Sequence, residues 1–257
     1  MILLLPVEIL FQILRFVAVK DLAILRGVCK YLHETVFEGS LLKRFVVNDS
    51  ITFTDSDLSN ILMYANQLET LSLFRCSQIT GEFTENLVLD KFVSLRVLNV
   101  AHTNINDKAL CDILKNTHNL RCLWINDCPN INDKSVNTIC SLSFLEEMYI
   151  GHTYLEDVTG LTTDGLFQIV ANCSGIKRLN VEQFVLSGNE FIRLVKTGSN
   201  LRVLDVSGSD ICDEDMTVAT EYLTKMEVLF LINCRVTELK KKTSSKTNSY
   251  IINSQRS

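Results

Sequence analysis

A short apolar pattern recurs seven times along the chain, with apolar residues at its first, fourth and sixth positions. The first copy reads Leu68-Glu-Thr-Leu71-Ser-Leu73. Successive copies start 25 to 31 residues apart, and four of the six intervals are 25 residues long. So constant a period indicates a stack of repeated structural units. The copies begin at Leu68, Leu95, Leu120, Leu145, Ile176, Leu201 and Met226.

Each copy predicts a short strand, because side chains alternate in direction along an extended chain. In the first copy, Leu71 and Leu73 are expected in the core and Ser72 on the opposite face. An aliphatic residue followed by Asn or Asp comes next, as at Ile105 and Asn106, and suits the start of a helix. Between strand and helix stands a small residue that is expected to bond neighbouring backbone: Cys76, Thr103, Cys128, Thr153, Ser209 and Cys234.

This pattern resembles the cysteine-containing class of leucine-rich repeats. The resemblance implies an α/β fold, a leucine-rich-repeat solenoid of about seven repeats over residues 46–239. One repeat cannot bury its apolar face alone, so the repeats stack, with a curved parallel sheet inside and helices outside. The fourth repeat is six residues longer than the common unit, and the surplus falls around Tyr154–Gly160. It predicts either a loop on the binding rim or a tolerated surface insertion.

The fifth position of each copy is predicted to line the concave face. Trp124 and Tyr149 would stand there on adjacent strands, about 5 Å apart. Aromatic residues on such a face favour protein binding, although cross-strand packing alone also accounts for them. Glu147 would neighbour Arg178 as a surface ion pair. We predict that a target protein contacts Phe74, Trp124, Asn126, Tyr149, Arg178, Asn180 and Glu182.

A metal site has little support in the sequence. His102, Asp127 and His152 occupy the eighth position of successive copies, but two strand spacings put the histidines about 10 Å apart. A solvated surface row is therefore favoured over a ligand set. The nine cysteines form no Cys-x-x-Cys pair and, without a secretory signal, are expected to be free thiols. No cofactor and no metal are predicted.

Residues 4–47 do not follow the repeat. They contain Leu5-Pro6, Glu8-Ile9-Leu10, Ile13-Leu14, Asp21-Leu22 and Val28-Cys29-Lys30, and the first apolar residues recur at helical spacing. The segment resembles the F-box, although the tryptophan common near the end of that motif is absent at Leu41-Leu42-Lys43. The resemblance implies a small helical domain over residues 1–45 that binds a Skp-type adaptor and, through it, a cullin scaffold. The adaptor-facing residues implied are Leu5, Pro6, Ile9, Leu10, Ile13 and Leu22.

Composition excludes several other classes of protein. Residues 1–239 carry 20 basic and 30 acidic residues, so a partner attracted by long-range charge is expected to be basic, and a nucleic-acid partner is not. No segment approaches the roughly 20 apolar residues of a membrane span, so no membrane partner is expected. The basic tail over residues 240–257 is predicted to be disordered. No polar helix is predicted after the strand of the seventh repeat, so the last apolar edge of the array is expected to lack a cap.

The order of F-box and leucine-rich repeats resembles a known family architecture. It implies the substrate-recognition subunit of a Skp–cullin–F-box ubiquitin ligase, which binds a target protein through the concave face for ubiquitin-dependent degradation. No phosphate loop, Gly-x-Ser-x-Gly or His-Glu-x-x-His sequence occurs, so no catalytic residue is predicted. The alternative is a non-ligase repeat scaffold whose N-terminal helices cap the solenoid. Either protein is expected in the cytoplasm, the nucleus or both.

Overall fold

A computed structural model describes residues 43–63, 65, 67–87, 89–152, 160–237 and 250–252. The chain divides into two compact units, Met1–Leu120 and Arg121–Ser257. Part of the sequence prediction lies outside the described residues: most of the rim loop Tyr154–Gly160, most of the tail, and the adaptor-facing set Leu5, Pro6, Ile9, Leu10, Ile13 and Leu22. Within the ranges described, every helix is too short or too polar to span a bilayer.

The first unit contains parallel strands in consecutive order, each paired in register with the next. Phe45 stands opposite Leu71, and Leu71 stands opposite Leu98. Two 3-10 helices, Glu82–Asn86 and Leu89–Phe92, replace the helix of one repeat. The strands are β1 (Arg44–Val46), β2 (Thr70–Ser72) and β3 (Val97–Asn99). The α-helices are α1 (Asp55–Leu62) and α2 (Asp107–Leu114).

The second unit repeats this plan with one strand and one helix in each repeat. A 3-10 turn, Asp133–Ser135, leads into the first of its helices. All neighbouring strands pair in parallel. The strands are β4 (Cys122–Trp124), β5 (Glu147–Tyr149), β6 (Arg178–Asn180), β7 (Val203–Asp205), β8 (Val228–Phe230) and β9 (Tyr250–Ile252). The helices are α3 (Val136–Cys140), α4 (Thr163–Asn172), α5 (Gly188–Thr197) and α6 (Asp213–Ala219).

The first, fourth and sixth positions of all seven copies are buried. In the sixth copy these residues are Leu201, Leu204 and Val206, and the last two are 0% exposed. Helix residues such as Phe191 and Leu194 of α5 are also fully buried. Removing this apolar surface from water stabilises the fold by roughly 25 cal/mol per Å². The predicted α/β leucine-rich-repeat solenoid is confirmed.

Polar side chains start the helices as the sequence predicts. The side chain of Asn106 accepts a hydrogen bond from the backbone N–H of Ala109 at the start of α2. Ser187 and Glu190 form a reciprocal pair of such bonds at the start of α5. These contacts satisfy backbone N–H groups that the first turn of a helix leaves without an internal partner.

A second contact, which the sequence did not predict, joins successive repeats. The Asp213 carboxylate accepts hydrogen bonds from the backbone N–H and the hydroxyl of Thr237, one repeat later. Asp133 binds Thr162 in the same way, at 2.8 and 2.6 Å. Asp55 binds Thr80 likewise, with both distances 2.9 Å. An acidic residue at a helix start thus holds a threonine of the following repeat.

The sheet extends past both predicted ends of the repeat array. Strand β1 begins at Arg44, before the predicted boundary at residue 45, and buries Phe45 completely. Strand β9 lies within residues 240–257, where disorder was predicted, and pairs with β8. That prediction was wrong for Tyr250–Ile252, because backbone pairing with the edge of β8 orders them. The same pairing covers the edge that was expected to lack a cap.

Buried and outward side chains alternate along strand β7, and this alternation can be tested by substitution. Leu204→Ala removes a fully buried side chain and is expected to lower the free energy of unfolding by about 2–5 kcal/mol. Val203→Ala, on the half-buried outward side of the same strand, is expected to cost under about 1 kcal/mol. Denaturant melts of the two variants measure both quantities. Equal losses would show that the strand does not alternate between core and surface as described.

Candidate protein-binding surface

Side chains at the fifth position of the repeats form rows across the sheet. In the second unit, strand register places each of them opposite the next. In the first unit, Ser72 pairs with Asn99 in the same way, although Ser72 is buried rather than exposed. The row in the second unit consists of Trp124, Tyr149, Asn180, Asp205 and Phe230.

Trp124 and Tyr149 stack face to face on strands β4 and β5. Their ring centroids lie 5.0 Å apart and the ring planes differ by 17°. Both side chains are half-buried, and burial raises the pKa of the Tyr149 hydroxyl. That hydroxyl donates a 3.4 Å hydrogen bond to Glu147 on its own strand. Stacking of this kind contributes about 0.5–1.5 kcal/mol beyond area burial, so the pair is a preorganised aromatic platform.

Charged and polar groups border the platform. Arg178 Nε lies 3.6 Å from a carboxylate oxygen of Glu147, its register partner on β5. The Asn180 side-chain amide donates a 3.2 Å hydrogen bond to Asp205. The Arg178 side chain is 56% exposed, and an ion pair so exposed is worth less than about 1 kcal/mol. Arg178 therefore keeps donors available for a partner.

Asn126 has a structural role. In the orientation that satisfies both ends of its amide, it donates to the backbone carbonyl of Tyr149 at 3.1 Å and accepts from the backbone N–H of Gly151 at 3.2 Å. Asn180 instead stabilises its own segment, since its side-chain oxygen accepts from the backbone N–H of Glu182 at 3.2 Å. Asn126, predicted as a target contact, thus stabilises the next strand with its polar atoms.

Phe74, the remaining predicted contact, lies in the first unit. It packs edge to face against His102, with ring centroids 5.2 Å apart. The Arg75 guanidinium lies 5.0 Å from the centre of its ring. The six other predicted residues belong to the second unit, where β4, β5 and β6 bring Trp124, Tyr149 and Arg178 together.

The residues at the eighth position of the repeats, among them His102 and Asp127, lie in the turns that follow the strands. His102 and Asp127 have φ angles of 57° and 49°, in the left-handed region that Asp, Asn and His adopt more readily than most residues. Arg75 and Asn233 share this conformation in their own repeats. Among the described residues, no cluster of His, Cys, Asp or Glu could hold a metal ion. Turn geometry explains why these polar residues recur at this position.

Phe184 is a surface residue that the sequence reasoning missed. It takes the ninth position, where five other repeats bury a small residue. Phe184 is only half-buried there and stacks on His152, with centroids 5.8 Å apart. The next residue, Val185, is 48% exposed at a φ of 53°. The sequence signal for this turn was the absence of Cys, Ser or Thr at the ninth position of the fifth copy.

Cysteine thiols serve the fold at the repeat turns. Cys76 Sγ donates to the backbone carbonyl of Val47 at 3.3 Å, and Cys234 Sγ donates to that of Val206 at 3.5 Å. These contacts confirm the predicted bonding of neighbouring backbone. Eight of the nine cysteines lie in the described ranges, and all eight are free thiols. Burial raises the pKa of Cys122 to about 11, with Glu147 adding to the effect, and that of Cys173 to about 12.

Comparison with known proteins agrees with this architecture. Residues 2–48 match the model of the F-box-like family. The chain joins an F-box-like domain to a leucine-rich-repeat body. Among solved structures, it resembles the yeast protein Rad7 in its complex with Elc1, at 20% identity and a TM-score of 0.58. That match covers 88% of this chain but only 65% of Rad7.

A second solved structure with the same fold is internalin C2 of Listeria monocytogenes. It matches at 12% identity and a TM-score of 0.56, over 91% of each chain. Both likenesses show the repeat fold alone. A search of curated proteins found no match.

The raised thiol pKa values have a direct consequence for reactivity. Only the thiolate reacts with iodoacetamide, and at pH 8 Cys122 and Cys173 hold far less thiolate than an ordinary cysteine. Alkylation of both in the folded protein is expected to be at least about tenfold slower than in denaturant, and to quicken as the pH rises toward 10. Mass spectrometry of labelled peptides measures the rates. Equal rates in folded and unfolded protein would contradict the raised pKa values of these thiols.

Proposed function

We propose that this protein is the substrate-recognition subunit of a Skp–cullin–F-box ubiquitin ligase. The observation that carries the proposal is the joining of an F-box-like segment, residues 2–48, to a leucine-rich-repeat body. The F-box-like segment would bind a Skp-type adaptor and so a cullin scaffold. The Rad7 structure, solved as a complex with Elc1, lends support because a protein of this fold there assembles with a partner.

The proposed mechanism is positioning rather than chemistry. The protein would hold a target near a ubiquitin carrier and so raise the local concentration of the target's lysines around the transfer site. A non-catalytic subunit needs no enclosed pocket, only two surfaces joined rigidly enough to keep both partners in reach. We place this activity in the cytoplasm, the nucleus or both, where free thiols stay reduced.

The outward face of the second unit is the proposed target site. The stacked Trp124 and Tyr149 supply large, rigid apolar area, which is what binding hot spots use. Arg178, Asn180 and Glu182 border them with donors, acceptors and charge, the usual rim of such a centre. Arg178 and Glu182 are exposed, so a bound protein would reach them without rearrangement of the fold.

A repeat scaffold that works without a ligase is the second candidate. In the described part of the chain, β1 pairs with β2 on one side only. Repeat arrays need a cap at each end, and the N-terminal helices predicted from the sequence would supply one there. Purification with a Skp-type adaptor separates the two functions, because a cap alone does not require that partner.

The adaptor site is tested by a double substitution in the F-box-like segment. Ile9→Asp with Leu10→Asp places two charges among the apolar residues that match the F-box, so binding of a Skp-type adaptor is expected to be lost. Co-purification from cells measures it. Ile51→Asp is the matched control, because Ile51 is 76% exposed outside the matched segment. If the double variant still recovers the adaptor at the level of the unmodified protein, the proposed role of this segment is wrong.

The target site is tested at Trp124. Trp124→Ala is expected to cost at least about 2 kcal/mol in target binding but only about 1–2 kcal/mol in folding, because the side chain stands outside the core and loses mainly its stacking on Tyr149. Calorimetry with a target identified by pulldown and mass spectrometry gives the first quantity, and denaturant melts give the second. Phe144→Ala removes an aromatic side chain that is 55% exposed outside the proposed site, and should change neither. Severe destabilisation with unchanged affinity would make Trp124 a core residue.

A further inference from the structure

On the outward face of the second unit, the charged residues near the carboxyl ends of the strands are all acidic. The carboxyl-end band consists of the last residue of each strand from β4 to β8, with the second and third residues after it, as in Trp124, Asn126 and Asp127. Its positions include the acidic residues Asp127, Glu182 and Asp205 and no Lys or Arg. The Arg178 guanidinium lies outside the band, beside Glu147. A cationic group on a partner would therefore meet a complementary surface.

Two aromatic stacks stand beside β5 in this band, one toward β4 and the other toward the segment that follows β6. The Trp124–Tyr149 stack marks its beginning, and the His152–Phe184 stack lies at its far edge. Backbone pairing continues between the stacks, since the N–H groups of Ile150 and His152 donate to the carbonyls of Asn180 and Glu182 at 3.0 and 2.8 Å. Tyr149 and His152 are three residues apart, or about 10 Å along an extended chain. An extended partner segment could reach both stacks with side chains three or four residues apart.

The turn that carries Phe184 is held in a strained conformation. Gln183 and Val185 both have φ angles in the left-handed region, 60° and 53°. A β-branched residue such as Val185 rarely adopts this conformation, which is strained for it. Three backbone N–H groups hold the turn: Gln183 donates to Ser207, Phe184 to Val181, and Leu186 to the Ser209 hydroxyl. The turn therefore presents Phe184 and the exposed Val185 in a fixed position.

We propose that the carboxyl-end band and the Phe184–Val185 turn together bind an extended segment of the target that carries a basic residue beside an apolar one. The Lys or Arg faces the acidic residues of the band, and the apolar side chain packs on Phe184 and Val185. This inference rests on the proposed role as a target receptor and specifies the chemistry of the target. An acidic or phosphorylated segment would meet like charge here, and residues 1–239 as a whole carry more acidic than basic residues.

The experiment selects random 12-residue peptides displayed on phage against the purified full chain, and adaptor binding by the same preparation is measured separately. Peptides with Lys or Arg within about four residues of an aromatic or aliphatic residue are expected to be enriched. For the most enriched peptide, Phe184→Ala and the pair Asp127→Asn with Glu182→Gln are each expected to weaken binding at least about tenfold. Binding should also weaken as salt rises, because screening reduces the attraction between charges. Phe144→Ala and Glu221→Gln are the matched controls, exposed residues outside the band and turn that should leave binding unchanged.

Val185→Gly separates binding from folding. Glycine adopts positive φ freely, so this change relieves strain and is expected to leave the unfolding free energy equal or higher. Peptide binding should nevertheless fall, because the apolar contact is lost. Phe184→Leu, which keeps apolar bulk, should retain more binding than Phe184→Ala and covers the case in which the alanine variant unfolds.

Three results would overturn the inference: enrichment of acidic peptides, no enrichment at all, or equal losses in the control variants. Adaptor binding reports on the proposed function separately. A chain that binds its adaptor but selects no basic peptide keeps the ligase role and loses only this target chemistry. A chain that selects basic peptides but recovers no adaptor keeps the surface and loses the ligase role.

Discussion

The backbone hydrogen bonds of each three-residue strand are completed by the next repeat. The carbonyl of Arg121 accepts from the N–H groups of both Glu146 and Glu147, and the carbonyl of Glu146 accepts from both Lys177 and Arg178. The same double acceptance recurs at the carbonyls of Lys43, Glu69, Lys177 and Arg202, so the strands joined in this way enter the sheet at the same point of their repeats. This constraint sets the register, and the register sets which side chains stand next to each other on the outward face.

Burial and register could be predicted from the sequence because both follow from the apolar pattern alone. The strands at the two ends of the array could not be predicted in this way. In β1 a phenylalanine, Phe45, stands where the other repeats carry leucine or methionine, and the strand overlaps the F-box-like segment. Strand β9 follows a polar, basic stretch whose composition indicates disorder. The hydrogen bonds between Asp133 and Thr162 could not be predicted from the sequence either, since these residues are 29 positions apart and meet only after the repeats stack.

Prediction of side-chain direction worked at strand positions and was weaker in the turns. Trp124 and Tyr149 stack as the alternation of a strand requires. Asn126 lies past the end of β4, where alternation no longer decides direction, and its amide bonds to the next repeat. A polar residue just after a strand is needed by backbone groups that the ladder leaves open, whereas an aromatic ring offers them little. The strand pattern therefore predicts the placement of the aromatic residues better than that of the polar residues around them.

The repeat design separates the residues that fold the protein from those available for binding. Leu179 and Val181 bury their side chains, while Arg178, Asn180 and Glu182 on the same segment remain accessible to a partner. Substitutions at the second group change the surface at little cost to the core, so one scaffold can present many surfaces. The turn at Phe184 is the exception, because a large side chain stands where other repeats bury a small residue, and the exposed Val185 beside it has a φ of 53°. Backbone strain in an exposed apolar turn lowers stability without adding to the core. In the complex that we propose, a target that packs on these side chains offsets that cost.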